Sequence, residues 1–137
     1  MRPESVSSSH IYQQSIVFES DLGVFQPFGL QLTSKNPDAV SIMTKIMSFA
    51  ASLNASKVVP GGQGEDSDFW INSGVPGASP YNDASKYFNY HHTDADMVNH
   101  VPKEQYEKSA AAIAIAMYGV ASLPDLLPRD NQSRNLR

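Results

Sequence analysis

The chain has 137 residues, enough for one domain that buries roughly two-thirds of its unfolded surface. Hydrophobic residues at 41% and charged residues at 18% describe an ordinary soluble composition, and a formal charge of -4 gives no basic footprint for nucleic acid. With no cysteine, disulfides are excluded and any metal must be held by nitrogen and oxygen ligands.

Residues 1–14 are Ser-rich and aperiodic and read as a loose tail. Their start, Met1-Arg2-Pro3-Glu4-Ser5, lacks the apolar stretch of a signal peptide. Ser15-Ile16-Val17-Phe18-Glu19 is rich in β-branched and aromatic residues and predicts a short buried strand that stops at Ser20-Asp21-Leu22-Gly23. Asp21 then sits at the strand's C-terminal mouth. Glu19 and Asp21 lie on the same side of an extended segment, and only one of them would normally reach a metal.

Asn36-Pro37-Asp38 is a helix start, with Asn as cap, Pro pre-organised at the first helical position and Asp complementing the helix dipole. Ala39, Ile42, Met43, Ile46, Ala50 and Leu53 follow at helical spacing and give one apolar face that can cover a sheet. Lys57-Val58-Val59 predicts a short strand, and Gly61-Gly62-Gln63-Gly64 a flexible loop. That loop lacks the Lys-Ser/Thr ending of a phosphate-binding loop and the spacing of a dinucleotide motif, so nucleotide binding is rejected.

Asp66 to Ile71 reads as a short helix opened by an Asp or Ser cap, and Gly74 to Ser79 as a turn running into a strand. A last helix begins near Pro102, carries Tyr106, Ala110, Ile113, Met117 and Val120 on one stripe, and is ended by Pro124. Its apolar run, around Ala110 to Tyr118, is too short to span a bilayer. Residues 129–137 read as a second loose tail. Sequons at Asn54 and Asn131 give weak support for secretion, since about one would arise by chance in a chain this rich in Asn and Ser. Strands alternating with helices predict an α/β layered domain with a largely parallel sheet.

Between an aromatic run and Pro102 lies His91-His92-Thr93-Asp94-Ala95-Asp96, which concentrates metal-binding chemistry in six residues. Imidazole and carboxylate are standard zinc ligands, and a ligating histidine is normally held by a second acceptor. In open α/β sheets ligands bind at the carboxyl ends of strands, where both the Asp21 loop and the His92 loop are expected to fall. Plainer readings stay open: Asp21 as a turn carboxylate, and the two histidines as a polar surface loop. No G-x-S-x-G elbow is present, which leaves a serine-hydrolase reading without a nucleophile.

Glu19-Ser20-Asp21-Leu22-Gly23 with its continuation to Leu30, Asp66-Ser67-Asp68-Phe69-Trp70 with its continuation to Ser79, and Lys86-Tyr87-Phe88-Asn89-Tyr90-His91-His92-Thr93 together resemble the carboxypeptidase Q family of co-catalytic zinc peptidases. The resemblance runs from about residue 15 to residue 128. It implies an α/β fold with a mixed, mostly parallel sheet flanked by helices, in which residues 15–128 form the C-terminal portion of a catalytic domain holding two zinc ions. It also implies a metallopeptidase of carboxypeptidase or dipeptidase type that hydrolyses short peptides, is secreted or lysosomal, and leaves room for a homodimer in the complete enzyme. Asp21 matches a ligand of one zinc and His92 the histidine ligand of the other. His91 is then a neighbour that reaches substrate, Asp96 a residue fixing the ligand loop, and Asp66 a pocket or structural residue.

The family brings a further histidine, a bridging aspartate and a Glu-Glu pair from upstream of the Glu-Ser-Asp motif. Here about twenty residues precede Asp21, with His10 and Glu4 the nearest candidates, so neither the bridge nor the catalytic base is expected within this chain. The alternatives are a non-catalytic binding module that keeps the peptidase fold and a truncated gene product.

Overall fold

The computed structural model describes residues 8–130 apart from residues 24 and 63. Helix α1 (Ser8–Gln13) leads to strands β1 (Val17–Phe18) and β2 (Pro27–Leu32). Helix α2 (Pro37–Met47) tightens into a 3₁₀ turn over Ser48–Leu53 before β3 (Lys57–Pro60). Helix α3 (Asp68–Asn72), strand β4 (Gly77–Asn82) and the long helix α4 (Lys103–Ala121) complete the order.

The four strands form one sheet in the order β1-β4-β2-β3. β1 pairs with β4 and β2 with β3 in parallel, while β2 and β4 run antiparallel, so the sheet is mixed and mostly parallel as expected. β1 is shorter than the predicted strand and is a half-buried edge strand rather than a buried one. β2, which the sequence reading left without an element, is one of the two interior strands. Pro27, Gly29 and a register shift between them break the alternation that would have marked it.

α2 forms as its start signals dictate. The Asn36 side chain accepts from the Asp38 N–H at 2.9 Å and Pro37 occupies the first turn. Ala39, Met43, Ile46, Met47 and Ala50 turn onto Leu30 and Leu32 of β2 to make the core, with Ala78 of β4 beneath. The chain leaves the 3₁₀ turn through Asn54, in the left-handed conformation that Asn tolerates better than most residues.

α4 buries a stripe that shares only Val120 with the one predicted. Ser109, Ala112, Ala116 and Val120 face inward, whereas Tyr106 and Met117 stand outward at 47% and 51% exposure. In an Ala-rich helix apolar residues occur on every side. The stripe of small residues lets the helix axis approach the sheet and α2 closely, and the larger side chains are left outside.

Both ends of the domain are tied down. Leu127 is buried and its N–H donates to Ser15 Oγ at 2.9 Å, while the Arg129 guanidinium donates to the Ile11 and Gln14 carbonyls. The Asp130 carboxylate accepts from Ser34 Oγ (2.7 Å), Lys35 N–H (2.9 Å) and Asn36 N–H (2.7 Å). Burial acts to raise the Asp130 pKa, but these bonds and the Lys35 charge together hold it below the usual carboxylate range. Residues 8–13 and 129–130, assigned to loose tails by sequence, are thus a helix and a strap that clips it. Asn131 of the second sequon lies outside the described residues.

Candidate functional site

The parallel pairing of β1 with β4 decides where the chemistry collects. Val17 lies opposite Gly77 and Phe18 opposite Ala78, so the two strands end on the same side of the sheet. The segment after β1 carries Asp21, and the segment after β4 carries His91, His92 and Asp96. β2 runs antiparallel to β4 and therefore begins at that same end. The β1–β2 connection and the β4–α4 connection therefore meet at one rim, the position expected for a ligand site in an open sheet.

A cavity of about 320 Å³ opens there, lined by Asp21, His91, His92, Asp96 and His100 together with Tyr87, Tyr90, Phe25 and Met97. Four of the five residues singled out from sequence share it. Asp66 does not line it. Its backbone N–H and that of Ser67 donate to the Glu19 carboxylate, at 3.4 and 2.9 Å. Glu19 thereby anchors the turn before α3, which has no side-chain cap of its own. The Ser67 hydroxyl, within reach of both Glu19 and the Gly64 carbonyl, is the main influence lowering the Glu19 pKa, with the two backbone N–H groups adding to it. A side chain at Gly64 would run into that carboxylate. Of the two acidic residues of the Glu-Ser-Asp motif, Glu19 is occupied with the fold and Asp21 is left to the cavity.

The Asp21 loop is fixed from two sides. Gly23 has φ of +80°, a conformation costly for any residue with a Cβ, and its carbonyl accepts from Asn82 Nδ2 at 2.7 Å. Ser109 of α4 reaches under the loop, with Oγ 3.1 Å from the Phe25 carbonyl and 3.3 Å from Asn82 Oδ1. Phe25 is buried and stacks on Tyr90, the ring centroids 6.3 Å apart. Buried polar groups of this kind locate a loop because leaving one unpaired is costly.

The histidine loop is wound from short turns. His91 N–H donates to the Tyr87 carbonyl at 2.9 Å, and Thr93 donates to the Tyr90 carbonyl through both N–H (3.0 Å) and Oγ1 (2.7 Å). His92 has φ of 55°, a left-handed conformation that costs a non-glycine residue about 1 kcal/mol. Tyr87 stacks on His91 (4.5 Å) and His91 on His92 (3.8 Å), while His100 stacks on Tyr90 (4.9 Å) and bonds the Ala95 carbonyl through Nδ1. Partial burial, then the charges of Asp21 and Asp96, and a hydrogen bond to Asp21, raise the Tyr87 phenol above its usual pKa.

Among the described residues no three His, Asp or Glu side chains converge as a metal ion requires. A catalytic zinc needs about three protein ligands. The cavity brings carboxylates and imidazoles to one rim, and among the described residues they fall short of that number. Sequence reasoning missed Tyr87, Tyr90, Asn82, Ser109 and His100. The four-residue spacing from Tyr87 to His91 was a readable stacking signal, whereas nothing in sequence marked the other four.

Comparison with known proteins follows the same lines. The chain is 41% identical to bovine (Bos taurus) carboxypeptidase Q over 132 residues and 42% identical to the human (Homo sapiens) protein over 120 residues. These matches cover 90% and 88% of this chain but 28% and 25% of the relatives, so the chain spans about a quarter of their length. The crystal structure of a peptidase M28 precursor from Shewanella amazonensis superposes with a TM-score of 0.76 at 26% identity, over 90% of this chain and 28% of that one. No family model matches the chain. Among the described residues no helix is long and apolar enough to cross a membrane.

Proposed function

We propose that this chain, a homologue of carboxypeptidase Q over about 90% of its length, is one part of a zinc metallopeptidase of carboxypeptidase or dipeptidase type that acts on short peptides. The observation that carries the reading is the convergence of the Asp21 and His92 loops on one cavity at the shared end of β1 and β4. Asp21 would supply a carboxylate ligand to one zinc and His92 an imidazole ligand to the other. Two zinc ions in the complete enzyme would polarise the scissile carbonyl and favour an ionised water at neutral pH.

Within this chain Asp96 and Thr93 shape the ligand loop, and His91, half-buried beside His92, faces the space a peptide would take. The remaining ligands, the bridge and the proton-accepting glutamate are expected from other parts of the full-length protein. A secreted or lysosomal location goes with the same reading.

The test is dipeptide hydrolysis by the longer polypeptide that contains this segment. Turnover should require zinc and stop with chelator. Asp21→Ala and His92→Ala should each lower kcat/KM by more than the roughly 100-fold typical of residues outside the ligand set. Turnover that survives chelation, or that either variant leaves intact, contradicts the reading.

A further inference from the structure

We propose that Tyr87 is a positioning residue that locks the Asp21 loop and the His92 loop into one register. The inference rests on the reading of Asp21 and His92 as ligands. It concerns how they are held relative to each other.

Tyr87 touches both loops at once. On one side its ring lies beside Gly23, two residues beyond Asp21: a Cβ on Gly23 would meet Tyr87 Cδ2 at an ordinary contact distance of 3.4 Å. On the other side the ring stacks on His91 at 4.5 Å and 27°, and His91 stacks on His92 at 3.8 Å and 24°. Gly23, Tyr87, His91 and His92 form a continuous column across the rim. The phenol lies near the Asp21 carboxylate, and partial burial acts with the charges of Asp21 and Asp96 to raise its pKa.

The column solves a specific problem. The residues from 83 to 101 include none that is fully buried, so apolar burial alone gives the loop little fixing beyond the stack of Tyr90 on Phe25. His92 is in addition held in a left-handed backbone conformation that needs outside support. A planar ring with two χ angles, set between Gly23 and the His91 imidazole, limits both the distance and the tilt between the loops. The hydroxyl shares the cavity with the Asp21 carboxylate, so removing it changes what that carboxylate faces.

The two halves of the proposal separate in two variants of the full 137-residue chain. Tyr87→Phe keeps the ring and removes the hydroxyl, and Tyr87→Leu removes both. Without added metal, carbon-proton spectra would follow the Asp21 side-chain carboxyl carbon and the imidazoles of His91 and His92. Tyr87→Phe should shift the Asp21 carboxyl carbon, leave both imidazoles in place and leave the melting midpoint unchanged. Tyr87→Leu should move all three, while the core methyls of Leu30 and Met43 stay put.

An Asp21 carbon unmoved in Tyr87→Phe overturns the proposal. So do imidazole signals unmoved in Tyr87→Leu, or shifts spread equally through the core. If Tyr87→Leu does not fold, Tyr87→Phe decides alone by the Asp21 signal. No zinc takes part, so failure of the peptidase reading leaves these results standing. Zinc chloride added afterwards to the wild-type sample tests that reading separately, through the His92 signals.

Discussion

On the helix-covered side of the sheet, Leu30, Leu32, Met43, Met47 and Ala116 are at most 2% exposed, whereas the loop between β4 and α4 contains no buried residue from 83 to 101. The first region is held by apolar area, in which each side chain has many neighbours and none is indispensable to position. The second is held by a few directed contacts: four ring stacks, a doubled Thr93 bond and a histidine bonded to a carbonyl. The difference teaches where each kind of error would show. Damage to the core should appear as lost stability everywhere, and damage to the loop as lost geometry with little change in stability.

The largest expected effect is in the core. Met43→Ala removes a fully buried side chain between α2 and the sheet, and denaturant unfolding should record a loss of about 2–5 kcal/mol. A loss under about 1 kcal/mol would mean that the core does not carry the stability assigned to it.

Ser109→Ala comes next, because Ser109 of α4 bonds the Phe25 carbonyl beneath the Asp21 loop. It removes the buried hydroxyl beneath Phe25 and Asn82, and should cost about 1–3 kcal/mol. Unlike Met43→Ala it should also disturb the Asp21 loop, seen as shifted amide signals of residues 21–23. Signals there that match the wild type would separate the loop from α4.

Asp130→Asn tests the strap. The folded-state pKa of Asp130 is lowered, so its contribution is fully present above the ordinary carboxylate pKa and is lost as pH falls through the folded-state value. The variant should melt lower at neutral pH, by about 1 kcal/mol or less once solvent screening is allowed for, and the difference from wild type should close in acid. A gap that widens in acid would contradict that sign.

The smallest effect is expected at His92. His92→Gly relieves the left-handed backbone and gives up the stack on His91, so the metal-free chain should change by less than about 1 kcal/mol in either direction. A larger loss would show that the loop depends on this residue for folding, against the contrast drawn above.

Legibility in sequence follows the same division. Local chemistry announced α2 through Asn36-Pro37-Asp38 and the strand around Val17 through its β-branched run, because cap and period signals are confined to a few neighbours. Strand β2 was hidden by Pro27 and Gly29. The buried stripe of α4 was hidden because small residues, rather than the large apolar ones, faced inward. At the site, Asp21, His91, His92 and Asp96 were named from residue type and resemblance, and they share one cavity. Asn82 and Ser109 could not be named, since their importance comes from bonds 59 and 84 residues away along the chain. Glu19 and Asp21 looked equivalent in an extended segment until the turn at Ser67 claimed one of them.

The most direct test of the central claim is calorimetric titration of zinc into the full 137-residue chain, with dipeptide hydrolysis followed in the same samples. On the proposed reading Asp21 and His92 would each give one ligand to a site completed by other parts of the longer protein, so the account predicts weak zinc binding, abolished by Asp21→Ala together with His92→Ala, and no turnover. Tight stoichiometric binding with chelator-sensitive hydrolysis by this chain alone would contradict it.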